Sequence, residues 1–138
     1  MLSSQNIGDN CLLNMTSVRY LTFEQFIIEN KRTNIENNDI LFTSVGTLGR
    51  SCIYTGPLNI SFQRSVSVIH TLTNPNYVKI YFDNPLFQYF IICSASGTAQ
   101  KGFYLNQLSN SLICLPNTNL QEKIIVKVGQ LLNVIYQS

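Results

Sequence analysis

The chain has 138 residues, enough to bury one hydrophobic core and too few for several domains. Hydrophobic residues make up 45% of it and charged residues 12%, which excludes a disordered chain. A formal net charge of +2 at pH 7 excludes nucleic-acid binding through bulk charge alone, so any DNA contact needs a local basic patch or a partner.

The first predicted helix begins at a capping box, in which Thr22 and Gln25 satisfy free backbone amides. We expect it to run from residue 23 to about residue 30. Its apolar residues are predicted to be buried: Phe23, Phe26 and Ile27.

Strand signals follow in the middle of the chain. Residues 39–43 and 51–54 are short apolar runs, and residues 65–69 and 78–82 alternate apolar and polar side chains. A first glycine loop, residues 44–50, separates the first two predicted strands. We therefore expect a small mixed or antiparallel sheet.

The next segment combines a helix and a second glycine loop. Asn84 and Pro85 predict a helix start, followed by a largely buried helix over residues 86–92. Residues 94–102 form the second glycine loop, which contains Ser96, Thr98, Gln100 and Lys101. Residues 112–116 predict a short strand that ends at a proline.

The last predicted helix carries a pairing surface. Thr118 and Gln121 form a second predicted capping box. Apolar residues then recur at spacings of four, four, three and four, which is typical of a helix-pairing seam: Leu120, Ile124, Val128, Leu131 and Ile135. The fold class predicted is α+β, a small sheet domain with short helices followed by a C-terminal coiled-coil-type helix.

The cysteines and the single histidine do not predict a metal site. The four cysteines are far apart, with no closely spaced pair. The apolar neighbours of Cys52, Cys93 and Cys114 predict buried free thiols in a reducing cytoplasm. The longest apolar stretch, residues 86–93, is too short to cross a bilayer, and residues 1–5 show no signal peptide. We expect a cytoplasmic protein without metal or cofactor.

Three blocks carry a family resemblance. Asn38–Arg50 (NDILFTSVGTLGR), Ser94–Gly102 (SASGTAQKG) and Ile113–Ile124 (ICLPNTNLQEKI) resemble, in this order, the target recognition domain of type I restriction-modification specificity subunits. The third block departs from the family pattern, because Asn117 replaces a second proline and Gln121–Glu122 inverts a Glu-Gln pair.

The resemblance implies a domain organisation. Residues 1–117 would form a target recognition domain without its opening strands, and residues 118–138 would begin the spacer and dimerisation helix. The family's subunit has two such domains, so the chain is expected to be a half-subunit, a gene fragment or a truncated piece.

The resemblance also implies a function without catalysis. The partners would be double-stranded DNA and the methyltransferase and restriction subunits, with a homodimer through the C-terminal helix reading a palindromic split site. In the glycine loops, hydroxyl, amide and cationic side chains suit contact with phosphates and base edges. The candidate DNA-binding residues are Thr47, Arg50, Ser96, Thr98, Gln100 and Lys101.

Two other classes of function remain open. A small hydrolytic enzyme lacks support, because the carboxylates show no motif spacing and the sequence has no phosphate-binding or dinucleotide motif. A helix-mediated assembly protein without a DNA role is the other alternative. The glycines also have a purely structural interpretation as turn residues. His70 is predicted to have no functional role, and four cations are predicted to be solvated: Lys31, Arg32, Arg64 and Lys79.

Overall fold

The computed structural model describes residues 1–16, 18–57, 59–97 and 101–136 and has the predicted α+β fold. A short 3₁₀ turn at Ser4–Asn6 precedes the regular elements. In chain order these are α1 (Phe23–Thr33), β1 (Ile40–Thr43), β2 (Ser51–Ile53), β3 (Val66–Ile69), α2 (Pro75–Asp83), α3 (Pro85–Ser94), α4 (Leu105–Ser109) and α5 (Thr118–Tyr136).

β1 is the central strand of a three-stranded antiparallel sheet with the order β2–β1–β3. Leu41 of β1 lies opposite Cys52 of β2 and Val68 of β3. All four residues of β1 are buried, because each face of the sheet is covered by a separate apolar cluster. Leu41 packs with Tyr54 and the N-terminal segment, whereas Phe42 packs with α2 and α3. Burial on both faces explains why the first three residues of β1, Ile40 to Phe42, are all apolar.

The capping box of α1 is confirmed, but the predicted burial of its apolar side chains is wrong for two of them. Gln25 N donates to Thr22 Oγ1 at 3.3 Å, and Thr22 N donates to Gln25 Oε1 at 3.2 Å. Phe23 is 76% exposed and Ile27 is 44% exposed, while Phe26 is half-buried. Phe23 and Phe26 line a groove that is open to solvent, so the apolar stripe does not become core.

The strand predicted over residues 78–82 is wrong, because these residues belong to α2. Asn74 accepts from Asn76 N at 3.0 Å, and Pro75 occupies the first turn. Val78 and Phe82 are both buried and stand four residues apart, which places them on one face of a helix as well as of a strand. The Asn-Pro pair was the deciding signal.

α3 begins as predicted but is not largely buried. Asn84 accepts from Leu86 N at 2.8 Å. Phe87 and Ile91 are buried against the sheet, whereas the other large apolar side chains of the helix are exposed: Leu86, Tyr89, Phe90 and Ile92. Only one stripe of this apolar helix faces the core.

Residues 112–116 form no strand. The hydroxyl of Tyr77 donates to Cys114 O at 2.7 Å, and that of Tyr81 donates to Leu112 O. Tyrosine side chains on α2 thus satisfy carbonyls that a strand would offer to a neighbouring strand. The burial predicted for Cys114 and Cys93 is also wrong, since both are exposed; Cys52 is buried as predicted.

α5 starts one residue differently from the prediction. Leu120 N donates to Asn117 Oδ1 at 3.0 Å, so Asn117 is the capping side chain and Thr118 is already helical. Gln121 is buried, and α5 contacts α2. In the predicted seam, Ile124 and Val128 are half-buried, and the others are exposed: Leu120, Leu131 and Ile135. The described helices include none with the length and apolarity that a membrane span requires.

Candidate nucleic-acid interface

The two glycine loops meet in the folded chain although about fifty positions separate them. Val45 and Gly102 form an antiparallel bridge, and Phe103 N donates to Ser44 O at 2.8 Å. Gly102 also exchanges two backbone hydrogen bonds with Ser96, at 2.9 and 3.0 Å. The first loop therefore adjoins the closed end of the second, and the pair forms one surface, here called the loop platform (residues 44–50, 94–97 and 101–102).

Internal hydrogen bonds fix the first loop. Gly46 and Gly49 have φ angles of +88° and +85°, a region that side chains with a Cβ rarely adopt. Thr43 Oγ1 accepts from Arg50 N at 2.9 Å and donates to Thr47 O. The structural interpretation of these two glycines therefore accounts for them without any ligand.

The two predicted contact residues of the first loop have different surroundings. Thr47 is half-buried and its hydroxyl donates to Ser4 O at 3.0 Å, so this side chain fastens the loop to the N-terminal segment. Arg50 is 42% exposed at its side chain, and its Nε lies 4.0 Å from a carboxylate oxygen of Asp9. Because an exposed pair at that distance is weak, the Arg50 guanidinium remains accessible to a ligand.

Ser96 and Lys101 are both exposed at the closed end of the second loop. The backbone pairing of Ser96 with Gly102 brings the two positions close together. Thr98 and Gln100, the remaining predicted contact residues, lie outside the described residues.

His70 and Lys79 are both engaged in pairs within the protein. His70 Nδ1 lies 2.9 Å from Asp39 Oδ1, and the second oxygen of this buried carboxylate accepts from Glu36 N at 2.6 Å. The pair joins the end of β3 to the start of β1. Lys79 is buried and donates to Asp83 Oδ1 at 2.5 Å, which contradicts its predicted role as a solvated charge.

Sequence reasoning missed a basic groove beside the loop platform. Arg32 and Arg64 line a groove of about 610 Å³ together with Ser44, the first residue of the platform. The two arginines are 32 positions apart and belong to different elements, so no local motif signals that they converge. Within the described part of the chain, no group of three or more His, Cys, Asp or Glu side chains is arranged to hold a metal ion.

Comparison with known proteins identifies a relative. No protein-family model matches the sequence. The chain is 31% identical over 107 residues to the type I restriction enzyme EcoBI specificity subunit of Escherichia coli. The alignment covers 75% of this chain and 23% of that subunit, so the chain spans about a quarter of the relative's length. The resemblance drawn from the three sequence blocks is confirmed, and the chain is a homologue of one part of a type I restriction enzyme specificity subunit.

Proposed function

We propose that this chain is a sequence-specific DNA-binding module of a type I restriction-modification system and has no catalytic activity of its own. Residues 1–117 form the recognition domain in this proposal, and residues 118–138 begin a pairing helix. The observation that carries the proposal is the loop platform, in which two loops distant in sequence join into one surface in a chain homologous to a specificity subunit.

The chemistry of the platform suits a duplex. Lys101 supplies an exposed positive charge for phosphates and Arg50 a half-buried one, and the Ser96 hydroxyl supplies a hydrogen bond. Gln100 is the proposed reader of adenine, through a bidentate hydrogen bond in the major groove. Thr98 is a further proposed contact, while Thr47 acts by holding the loop against Ser4.

The proposed partners perform the chemistry. A methyltransferase subunit and a restriction subunit would methylate and cleave at the sites that this chain selects. Self-association through α5 would place two copies of the module on one DNA. Leu120 and Leu131 are exposed on the proposed seam, with Ile124 and Val128 half-buried between them. Two identical modules would read a palindromic site split by a spacer.

Co-expression with a type I methyltransferase subunit tests the proposal. A genome-wide map of adenine methylation is expected to show a new split palindromic motif. A Lys101→Ala variant is expected to weaken or erase the motif, whereas Lys127→Ala, which removes the same charge from an exposed site on α5, is expected to retain it. A soluble, folded protein that yields no new motif would contradict the proposal.

A helix-mediated assembly protein without a DNA role is the second candidate, and the exposed apolar residues of α5 favour it. The dependence of DNA affinity on salt separates the two. A DNA-binding module loses affinity steeply as salt rises, because phosphate contacts release counterions. An assembly protein shows no measurable DNA affinity at any salt concentration while it still self-associates.

A further inference from the structure

A groove beside the loop platform gathers two arginines, and we call it the arginine groove. Arg32 comes from the last turn of α1, and Arg64 precedes β3. Its polar lining also includes Ser44, Ser67, Tyr104 and Asn106. None of the described residues that line it is an Asp or a Glu, so the lining carries positive charge only.

The Arg32 guanidinium is positioned by the backbone. Its Nη2 donates to the carbonyl of Phe62, a fully buried residue of the core. This bond engages one donor of a five-donor group and fixes the direction of the fork. An arginine held in place loses less side-chain entropy when it binds an anion.

Arg64 supplies the second charge. It is exposed in the turn just before β3, two positions after the Phe62 carbonyl that holds Arg32. Over the described ranges, neither Arg32 nor Arg64 has a carboxylate partner within 4.0 Å. Both charges are therefore available to a ligand, and the shape of the guanidinium suits phosphate.

The groove is bonded to the loop platform. Ser44 is both a wall of the groove and the first residue of the platform, and its hydroxyl lies 2.6 Å from that of Ser67. Ser44 N donates to Ser65 O at 2.9 Å, which ties the platform to the residue after Arg64. An anion in the groove would thus lie next to whatever the platform contacts.

We propose that the arginine groove binds backbone phosphates of the same DNA duplex that the platform contacts; this inference rests on the proposed function. With a net charge of +2, attraction to phosphates must come from a local basic site or from a partner, and the groove provides such a site outside the recognition loops. Its contribution to affinity is independent of sequence, because phosphates carry no base information.

Arg64→Ala tests the groove, because the Arg64 side chain makes no hydrogen bond or ion pair with the described residues, whereas Arg32 also holds the Phe62 carbonyl. The probe is a random-sequence duplex of roughly 30 base pairs, titrated over a range of salt concentrations by fluorescence anisotropy. Loss of one phosphate contact should make the slope of log affinity against log salt shallower by about 0.9. If the variant and the unsubstituted chain bind equally at 1 M salt, the variant should therefore bind about eightfold more weakly at 0.1 M salt.

Two matched variants sharpen the measurement. Lys31→Ala removes the same charge one residue from Arg32 but outside the groove, and it should leave the slope nearly unchanged. Arg64→Lys keeps the charge and should preserve most of the slope. Thermal unfolding of each variant should match the unsubstituted chain, which shows that the binding change is local.

The outcomes separate the groove from the proposed function. If Arg64→Ala and Lys31→Ala bind the duplex with the same salt slope, the proposed role of the arginine groove is overturned, while the proposal that the loop platform binds DNA stays in place. A chain that binds no duplex at low salt would overturn both. If the groove instead binds a free anion, inorganic phosphate should raise the melting temperature of the unsubstituted chain but not that of Arg64→Ala, while both chains bind the duplex with the same salt slope. That result would overturn the assignment to DNA.

Discussion

Replacing Gly49 by alanine should destabilise the protein strongly, because two separate costs meet at this position. The φ angle of +85° is unfavourable for any residue with a Cβ, at about 1–2 kcal/mol. The added Cβ would also lie 2.6 Å from Gln88 Oε1, well inside van der Waals contact. The Gln88 side chain cannot retreat freely, since its Nε2 donates to Gly49 O at 2.9 Å and to Phe82 O at 2.6 Å.

The expected magnitude follows from these contacts. Loss of the two Gln88 hydrogen bonds costs about 0.5–1.5 kcal/mol each. Together with the backbone strain, Gly49→Ala should lower the free energy of unfolding by about 2–5 kcal/mol. At roughly 3–5 °C per kcal/mol for a domain of this size, the melting temperature should fall by at least 6 °C.

Urea and thermal unfolding followed by circular dichroism would measure the effect, with two controls. Gly129→Ala lies in α5 with nothing within 4 Å of the added Cβ, and it should stabilise the protein by about 0.5–1 kcal/mol. In a Gln88→Ala background, Gly49→Ala should cost only the backbone part, about 1–2 kcal/mol. An equal cost in both backgrounds would refute the role of the Gln88 contact, and a cost below about 0.5 kcal/mol would refute the argument altogether.

Three further predictions concern α5 and the buried thiol. Gln121→Ala should lower the free energy of unfolding by about 1–3 kcal/mol, because two hydrogen bonds are lost. Gln121 Oε1 accepts from Thr73 Oγ1, and Gln121 Nε2 donates to Pro116 O, each at 2.8 Å. Gln130→Ala, at an exposed position of the same helix, should have little effect in the same unfolding assay. Leu131→Asp should convert a dimer into a monomer in analytical ultracentrifugation while Gln130→Asp does not, and a Leu131→Asp variant that stays dimeric would remove the seam from the proposal. Burial raises the pKa of the Cys52 thiol from 9.0 to about 11, so between these pH values the folded state holds a proton that the unfolded state loses. The stability that this thiol contributes is complete below pH 9 and should be lost as the pH rises towards 11. When unfolding is followed across this range, Cys52→Ala should lose less stability than the unsubstituted chain.

The sheet was predictable from sequence because its strands are short apolar runs bounded by clear turns. All three strands of the sheet fall within predicted segments, and the Asn84–Pro85 start of α3 was also correct. The alternation of apolar and polar residues over 78–82 predicts a strand, but over only five residues the same pattern also fits the 3.6-residue period of a helix. The longer window that includes Asn74 and Pro75 resolves the ambiguity.

Burial was harder to predict than secondary structure. A side chain such as Phe23 or Leu86 is apolar in either environment, and its exposure depends on whether another element covers it. The site shows the same limit. Sequence blocks indicated both glycine loops, but only the fold shows that Val45 pairs with Gly102 and that Arg32 and Arg64 share a groove.

The side-chain amides of Gln88 and Gln121 connect the two ends of α2 to other parts of the fold. Gln88 bonds the first glycine loop to Phe82 at the end of α2, and Gln121 bonds α5 to Thr73 just before α2 begins. α2 has nine residues and is about 14 Å long, and hydrogen bonds connect one of its ends to the first glycine loop and the other to α5. These attachments keep the first glycine loop and α5 at a fixed spacing along α2, so in the proposed assembly through α5 helix geometry would set the separation between two loop platforms.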